Sequence, residues 1–322
     1  MKDKKCLILS LTIIILIMSC ITTKNKNTDI SKESYKKEYY DLLGRKKYDD
    51  LAKHLIIWKN QYPKDADVYL AYSNYYLNRK MHIVYVGEGT SPILSKDEII
   101  FPHLQNKQLM VKDPKTNERV GSFTVKTVIN LKDIKEAIKY VKTAIKLAPN
   151  RLDMHLVLIN FLYLNSEHEN LVETIKALLV FSKQINNRWL LETNPIEGPE
   201  EFLDELQRLL FIYLKIEKNK DSLIEISNEF IKNYPNSVLG YSNLGAIYSK
   251  SDIELSIKYY MMAQKIKPED SIVLYNLAHL SETQGKYLQA IKYYKKLKDI
   301  CNEKERPNIE EKINLLNKKI NH

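Results

Sequence analysis

The chain has 322 residues, a formal net charge of +10 and three cysteines. This length exceeds one average domain. Hydrophobic residues make up 44% of the chain and charged residues 28%, which fits a folded protein. Three cysteines exclude a disulfide framework. Because Lys, Asn, Ile and Tyr are abundant along the whole chain, we attribute the positive charge to compositional bias and expect no nucleic-acid partner.

Residues 1–19 have the features of a secretory signal peptide. Lys2, Lys4 and Lys5 precede a largely apolar run over residues 6–18. This run is shorter than the ~20 residues that span a bilayer comfortably. A small residue follows it, as at a cleavage site, so we predict a signal peptide over 1–19.

The residues around the predicted cleavage site resemble the bacterial lipobox, in which an apolar residue precedes a small residue and a cysteine. The matching residues are Ile17, Met18, Ser19 and Cys20. The resemblance implies cleavage before Cys20, diacylglycerol on its sulfur and further acylation with a fatty acid such as palmitate. It predicts a lipoprotein in the bacterial cell envelope, held in the inner or outer membrane and either periplasmic or surface-exposed, with residues 20–30 as the tether. The alternative is an uncleaved helical anchor.

Residues 31–78 predict a first helical repeat and the beginning of a second. Apolar residues at helical spacing give the first repeat two helices, and the second of these ends before Pro63. Tyr69 repeats Tyr35 after 34 residues, which marks the second repeat. The residues expected to face inward in the first repeat are Tyr35, Tyr39, Leu42, Tyr48, Leu51, Leu55 and Trp58.

Residues 79–130 interrupt the second repeat with a segment of different character. The candidate strands are residues 81–86, 108–112 and 120–129. They predict a small antiparallel β element with a hairpin at 108–128, and Ser95 is placed to cap a helical turn. Because an insertion this long is uncommon without a use, we consider a binding arm or lid near the repeats and a decoration that only packs on them.

The repeat pattern then resumes and continues to the end of the chain. Residues 131–185 hold the delayed second helix of the second unit and a third unit. They are followed by an interruption over 186–203, three units over 204–304 and a capping helix over 305–322. The pattern is clearest in the last two units, where Gly245 and Ala278 occupy the same position 33 residues apart. Such a period predicts a stacked helical array rather than one globular core.

This pattern resembles the tetratricopeptide repeat family over about 31–78 and 131–320, most specifically in 238–300. Prolines close the units at Pro63, Pro149, Pro235 and Pro268. The resemblance implies an all-α fold, a helix-turn-helix solenoid of the tetratricopeptide type with a small β-containing insertion. Large residues stand where the family prefers small ones, so we expect neighbouring helices to be pushed apart at these points. They are Tyr39, Trp58, Ile159, Phe211 and Phe230.

In that family the first helix of each unit lines the binding groove, which implies a groove at the matching positions here. These are Lys36, Tyr40, Asn74, Asn160, Tyr163, Arg208, Lys215, Ser242, Tyr275 and His279. Amide, cationic and aromatic groups of this kind suit a peptide backbone, carboxylate or apolar side chain. The family's carboxylate clamp is incomplete, because Tyr40 replaces an Asn and Ile212 stands where polarity is expected.

The sequence predicts a binding protein and not an enzyme. No histidine pair has metal-binding spacing, and no nucleophile elbow or phosphate-binding glycine loop occurs, so we expect no catalytic residues, metal or cofactor. We expect a monomeric scaffold or adaptor that captures a protein or peptide in its groove and contacts the membrane through its lipid. The alternative is an envelope enzyme or glycan-binding protein with its site in residues 79–130, near Asp97 and Glu98.

Overall fold

The structure is a computed structural model that describes residues 30–100, 107–196, 198–214 and 219–320. The predicted signal peptide, Cys20 and Lys215 lie outside the described residues. The described part is mostly helical, with thirteen helices arranged largely as helical hairpins and with small sheet elements. The predicted fold class is therefore confirmed.

The chain divides into two compact units. Of the described residues, the first unit comprises those within 30–171 with 188–196, and the second comprises those within 172–187 with 198–320. The helices of the first unit are α1 (Ile30–Gly44), α2 (Tyr48–Gln61), α3 (Ala66–Asn78), α4 (Leu131–Leu147) and α5 (Leu152–Leu164). Helix α6 (His168–Gln184) runs from the first unit into the second.

Aromatic and aliphatic side chains form the core between α1, α2 and α3. Tyr39, Leu55 and Trp58 are at most 3% exposed. Asp65 caps α3 by accepting a hydrogen bond from the Asp67 backbone N–H at 3.1 Å. Tyr39 and Trp58 are large residues at positions where small ones were expected, and both are buried in this core. The same is true of Ile159 and Phe230 elsewhere in the chain, which are also buried.

The insertion folds as an antiparallel sheet between α3 and α4. Its strands are β1 (His82–Gly87), β2 (Glu98–Ile100), β3 (Lys107–Lys112) and β4 (Arg119–Asn130). The long β4 is central, because β1 pairs with one of its edges while β2 and β3 pair with different parts of its other edge. At the turn between β3 and β4 the Asp113 carboxylate accepts hydrogen bonds from the backbone N–H groups of Lys115 and Thr116.

The structure differs from the sequence-based expectations at two points. The helical turn expected at Ser95 is instead a turn into β2, because the β-branched Ile99 and Ile100 pair with β4. The interruption predicted over 186–203 is shorter, since α7 already begins at Gly198. Pro199 favours a helix start because its missing N–H would be unpaired there in any case.

Between α6 and α7 the interruption contains a two-stranded hairpin that belongs to the first unit. Its strands are β5 (Leu190–Leu191) and β6 (Asn194–Pro195). The hairpin is anchored by Trp189, which is 1% exposed, and by a hydrogen bond of 2.9 Å from the Leu190 backbone N–H to the Asn150 carbonyl oxygen. The hairpin turn is thereby fixed against the N-terminal end of α5.

The second unit continues with helical hairpins to the end of the described chain. Its helices are α7 (Gly198–Leu214), α8 (Lys220–Asn233), α9 (Leu239–Tyr248), α10 (Ile253–Ile266), α11 (Ser271–Thr283), α12 (Tyr287–Ile300) and α13 (Arg306–Ile320). Helix α13 lies within the predicted 305–322 cap and buries Ile309, Ile313 and Leu316 against the preceding repeat. Its apolar stripe therefore closes the core as the sequence predicts.

Candidate functional site

A cluster of charged side chains joins the first helices of three successive hairpins in the first unit. Lys36 lies on α1, Asp67 on α3, and Arg151 is the N-cap of α5. Lys36 Nζ is 3.7 Å from Asp67 Oδ2, and Arg151 Nη1 is 2.9 Å from Asp67 Oδ1. Asp67 thus connects residues that are far apart in sequence, and we call this group, with Tyr40, Asp153 and Glu192, the ionic cluster.

The pair of Arg151 and Asp153 gives the cluster its rigidity. Arg151 Nε donates to Asp153 Oδ1 at 2.8 Å, and Arg151 Nη2 donates to Asp153 Oδ2 at 2.7 Å. Their side chains are only 9% and 6% exposed. A bidentate, buried arginine–carboxylate pair fixes both side chains in one geometry, so this part of the cluster is ordered before any ligand arrives.

Glu192 enters the cluster from the turn between β5 and β6. Its backbone N–H donates to Asp153 Oδ1 at 3.2 Å, and its φ of +54° is in the left-handed region that non-glycine residues seldom adopt. Its half-buried carboxylate has no ion pair within 4 Å among the residues that the structure describes. Burial raises the pKa of Glu192, although the charge of Lys36 opposes this effect.

The other ionisable groups of the cluster respond to the same surroundings. Burial acts to raise the pKa of Asp67, but Lys36 and Arg151 outweigh it and hold that pKa below its ordinary value. Burial raises the pKa of the Tyr40 hydroxyl, and the negative charge of Glu192 adds to the effect. Asp67 therefore stays ionised and Tyr40 stays protonated, so Tyr40 is able to donate a hydrogen bond.

The structure brings together two of the five predicted groove residues of the first unit, Lys36 and Tyr40. Asn74, on α3, lies near the buried Tyr39 of α1. Asn160 donates its side-chain amide to the Leu156 carbonyl oxygen at 3.0 Å, within its own helix. Tyr163 is half-buried on the same helix.

The predicted groove residues of the second unit form no comparable cluster among the described residues. Arg208 is paired with Glu205 on its own helix. The Ser242 hydroxyl is buried without a hydrogen-bond partner in the described part of the chain. The rings of Tyr275 and His279 stack with centroids 6.3 Å apart.

Sequence reasoning missed four members of the cluster. A signal for two of them exists, because Asp67 and Asp153 both occupy the second position of a first helix, in α3 and α5. Arg151 precedes the second of these helices as its N-cap. Glu192 has no sequence signal, since it reaches the cluster only through the fold of the short hairpin.

Asp97 and Glu98, the two acids considered for the predicted alternative enzyme, both have lowered pKa values. Asp97 Oδ2 is 2.7 Å from Lys132 Nζ, and that hydrogen bond lowers the pKa of Asp97. The Ser95 backbone N–H donates to Glu98 at 2.9 Å and lowers the pKa of Glu98. A general acid in glycoside hydrolysis has a raised pKa, so these two carboxylates do not suit that role.

Neither a metal site nor a membrane span is found in the described part of the chain. No group of three or more His, Cys, Asp or Glu side chains there is placed to hold a metal ion. In the same ranges, every helix is too short or too polar to traverse a bilayer. His103 of the insertion lies outside the described residues.

Comparison with known proteins finds a family model and solved structures. The tetratricopeptide repeat model matches residues 127–151 and 272–304. Among solved structures, MamA from Desulfovibrio magneticus is 16% identical, with 52% of this chain and 85% of MamA covered at a TM-score of 0.33. The tetratricopeptide repeat protein TTC0263 of Thermus thermophilus is 12% identical, with 58% and 91% covered at a TM-score of 0.35.

A third structure, YrrB, is described as a tetratricopeptide repeat protein with an unusual peptide-binding site. It is 12% identical, and the comparison covers 53% of this chain and 79% of YrrB at a TM-score of 0.31. No curated protein sequence matches the chain. The family-model matches support tetratricopeptide repeats in these two segments, and the described helices elsewhere form a similar succession of helical hairpins.

Proposed function

We propose that this chain is a non-enzymatic scaffold or adaptor that captures an extended peptide or helix of a partner protein. Tetratricopeptide repeats generally mediate interactions between proteins. The binding surface is the first-helix face of the first unit, and its centre is the ionic cluster. The observation that carries the proposal is the convergence of Lys36, Asp67 and Arg151 from three successive first helices.

Binding at this surface requires little reordering of the protein. The bidentate pair of Arg151 and Asp153 is already formed, and the anchored hairpin holds Glu192 beside it. The protonated Tyr40 hydroxyl offers a donor next to these charges. Because the side chains are ordered in advance, mainly the ligand loses conformational freedom on binding.

The proposed surface is tested by capture of partners from native cells. Full-length protein with a C-terminal tag is crosslinked in intact cells and purified, and the captured proteins are compared for the wild type, Tyr40→Ala and Ile57→Ala. Ile57 lies on the second helix α2 and is 56% exposed, so its variant is the control. We expect Tyr40→Ala to lose a specific partner that Ile57→Ala keeps; equal capture by both variants and the wild type contradicts the proposal.

We further propose that a lipid on Cys20 holds the monomeric chain at a membrane of the bacterial cell envelope. The support is the lipobox-like sequence that ends in Cys20, and two or more acyl chains give stable anchoring. The test is metabolic labelling with an alkyne fatty acid, followed by membrane fractionation. The wild type should be labelled and sediment with membranes, while Cys20→Ala should be unlabelled; a labelled Cys20→Ala variant contradicts the proposal.

A further inference from the structure

The two cations of the ionic cluster, Lys36 and Arg151, and the neighbouring Lys32 all have an acidic partner already. Lys32 Nζ lies 2.9 Å from Asp65 Oδ1, and Lys36 Nζ lies 3.7 Å from Asp67 Oδ2. Arg151 contacts both Asp67 and Asp153. An incoming carboxylate would therefore compete with carboxylates that are built into the fold, and this argues against an acidic ligand group.

One negative charge remains without such a partner. The three cations Lys32, Lys36 and Arg151 face four carboxylates, those of Asp65, Asp67, Asp153 and Glu192, which gives the group a formal charge of −1. Glu192 is the carboxylate that makes no ion pair within 4 Å among the described residues. The unbalanced charge is thus located at the turn between β5 and β6.

Stability of the fold does not explain a glutamate at position 192. Its left-handed φ of +54° favours glycine or asparagine, and its half-buried carboxylate loses hydration without gaining an ion pair. Two unfavourable features at one residue point to a role outside folding. The backbone hydrogen bond to Asp153 and the buried Trp189 hold the backbone of residue 192 beside the ionic cluster.

From this geometry we propose that the cluster binds a cationic group of the partner, an ammonium or guanidinium, with the Glu192 carboxylate as its counter-ion. The inference rests on the proposed function, because it assumes that the partner docks on this face of the first unit. Binding would neutralise the unbalanced charge and give Glu192 the ion pair that the free protein lacks. A charge pair that is partly shielded from water is stronger than one on an open surface.

The test measures the binding of short capped peptides to full-length protein by fluorescence anisotropy. The peptides share one neutral scaffold and carry a single central Arg, Lys, citrulline or Glu. Citrulline has nearly the shape of Arg without its charge, so the comparison isolates charge, and the Arg and Lys arms distinguish guanidinium from ammonium. The protein variants are Glu192→Gln and, as a matched control, Glu118→Gln, at an exposed glutamate of the insertion.

We expect the Arg or Lys peptide to bind about fivefold to tenfold more tightly than the citrulline and Glu peptides. Glu192→Gln should abolish this preference, and Glu118→Gln should keep it. Preference for the Glu peptide, a preference that persists in Glu192→Gln, or equal or absent binding of all four peptides would overturn the inference. If Tyr40→Ala still loses its cellular partner in any of these cases, the proposed function is retained. Only the inference that Glu192 binds a cationic group of the partner is then wrong.

Discussion

Arg79 and Asp133 join the two ends of the β insertion, although 54 residues separate them in sequence. Arg79 Nε donates to Asp133 Oδ2 at 3.0 Å, and Arg79 Nη2 donates to Asp133 Oδ1 at 2.5 Å. Arg79 follows α3 as its C-cap, and Asp133 lies in the first turn of α4. This pair joins the end of α3 to the start of α4, the two points between which the insertion lies.

Removal of Arg79 should destabilise the first unit strongly. The Asp133 side chain is 4% exposed, so Arg79→Ala leaves a buried charge whose nearest remaining cation is Lys80, 3.8 Å from Oδ2. We expect a loss of about 3 kcal/mol in the free energy of unfolding, measured by urea denaturation. The double variant Arg79→Ala/Asp133→Ala should recover part of the lost free energy of unfolding. A single variant as stable as the wild type would show that the pair is not needed.

The helical hairpin should form without most of the insertion. Large side chains of the sheet are exposed, including Ile83 at 56%, Tyr85 at 67% and Phe123 at 44%, so they contribute little to the helical core. We expect a variant with residues 82–127 replaced by a short Gly/Ser linker to keep its helical circular dichroism and to unfold cooperatively. Retention of every cellular partner by this variant would favour the insertion as a decoration, whereas loss of a partner would favour a binding arm.

The same shortened protein provides its own control. Because the Arg79–Asp133 pair then closes a short connection, adding Asp133→Ala should make unfolding occur at a lower urea concentration than in the shortened protein alone. If the linker variant has already lost its helical signal, the insertion is part of the folding core and the expectation is wrong.

Glu192→Gln should make the protein more stable at neutral pH. The pKa of Glu192 is raised in the folded state, chiefly by burial, so the folded protein binds this proton more tightly than the unfolded chain. Ionisation of Glu192 therefore opposes folding once the pH exceeds the ordinary glutamate pKa of about 4.3. The variant removes this opposition at pH 7, and its advantage should disappear near pH 4.

The groups that face Glu192 are Lys36, Tyr40, Asp67, Arg151 and Asp153. Among them Asp67 acts in the opposite sense, because its lowered pKa gives stability that is lost as the pH falls. The comparison is therefore made between Glu192→Gln and wild type at each pH, with Glu118→Gln as the control. A Glu192→Gln variant less stable than wild type at pH 7 would show that Glu192 has a structural role.

Gly245 should not tolerate a methyl group. A Cβ built at this buried position of α9 would lie 2.7 to 2.9 Å from ring atoms of Tyr260 on α10. We expect Gly245→Ala to lower the free energy of unfolding by about 2 kcal/mol, measured by urea denaturation. Adding Tyr260→Leu should make the effect of Gly245→Ala smaller, since it removes the ring; an equal effect in both backgrounds would assign the loss to another cause.

The sequence was sufficient for the fold but for only part of the site. Helical spacing and recurring prolines predicted the hairpins, because each helix buries its own periodic face against sequence neighbours. The ionic cluster depends instead on contacts such as Arg151 with Asp67, which lie 84 residues apart, and on a short hairpin that delivers Glu192. The repeat spacing in the sequence does not show which distant residues meet in the ionic cluster. Lys36 and Tyr40 were therefore predicted without their partners.

The central claim is that a partner touches the first-helix face of the first unit. The direct measurement is photo-crosslinking in cells, with a photoreactive phenylalanine derivative at position 40 or at position 57, followed by mass spectrometry of the adducts. We predict a discrete protein adduct from position 40 and none of the same mass from position 57. An adduct from position 57 alone, or none from position 40 while the labelled protein remains folded, would contradict a partner at this face.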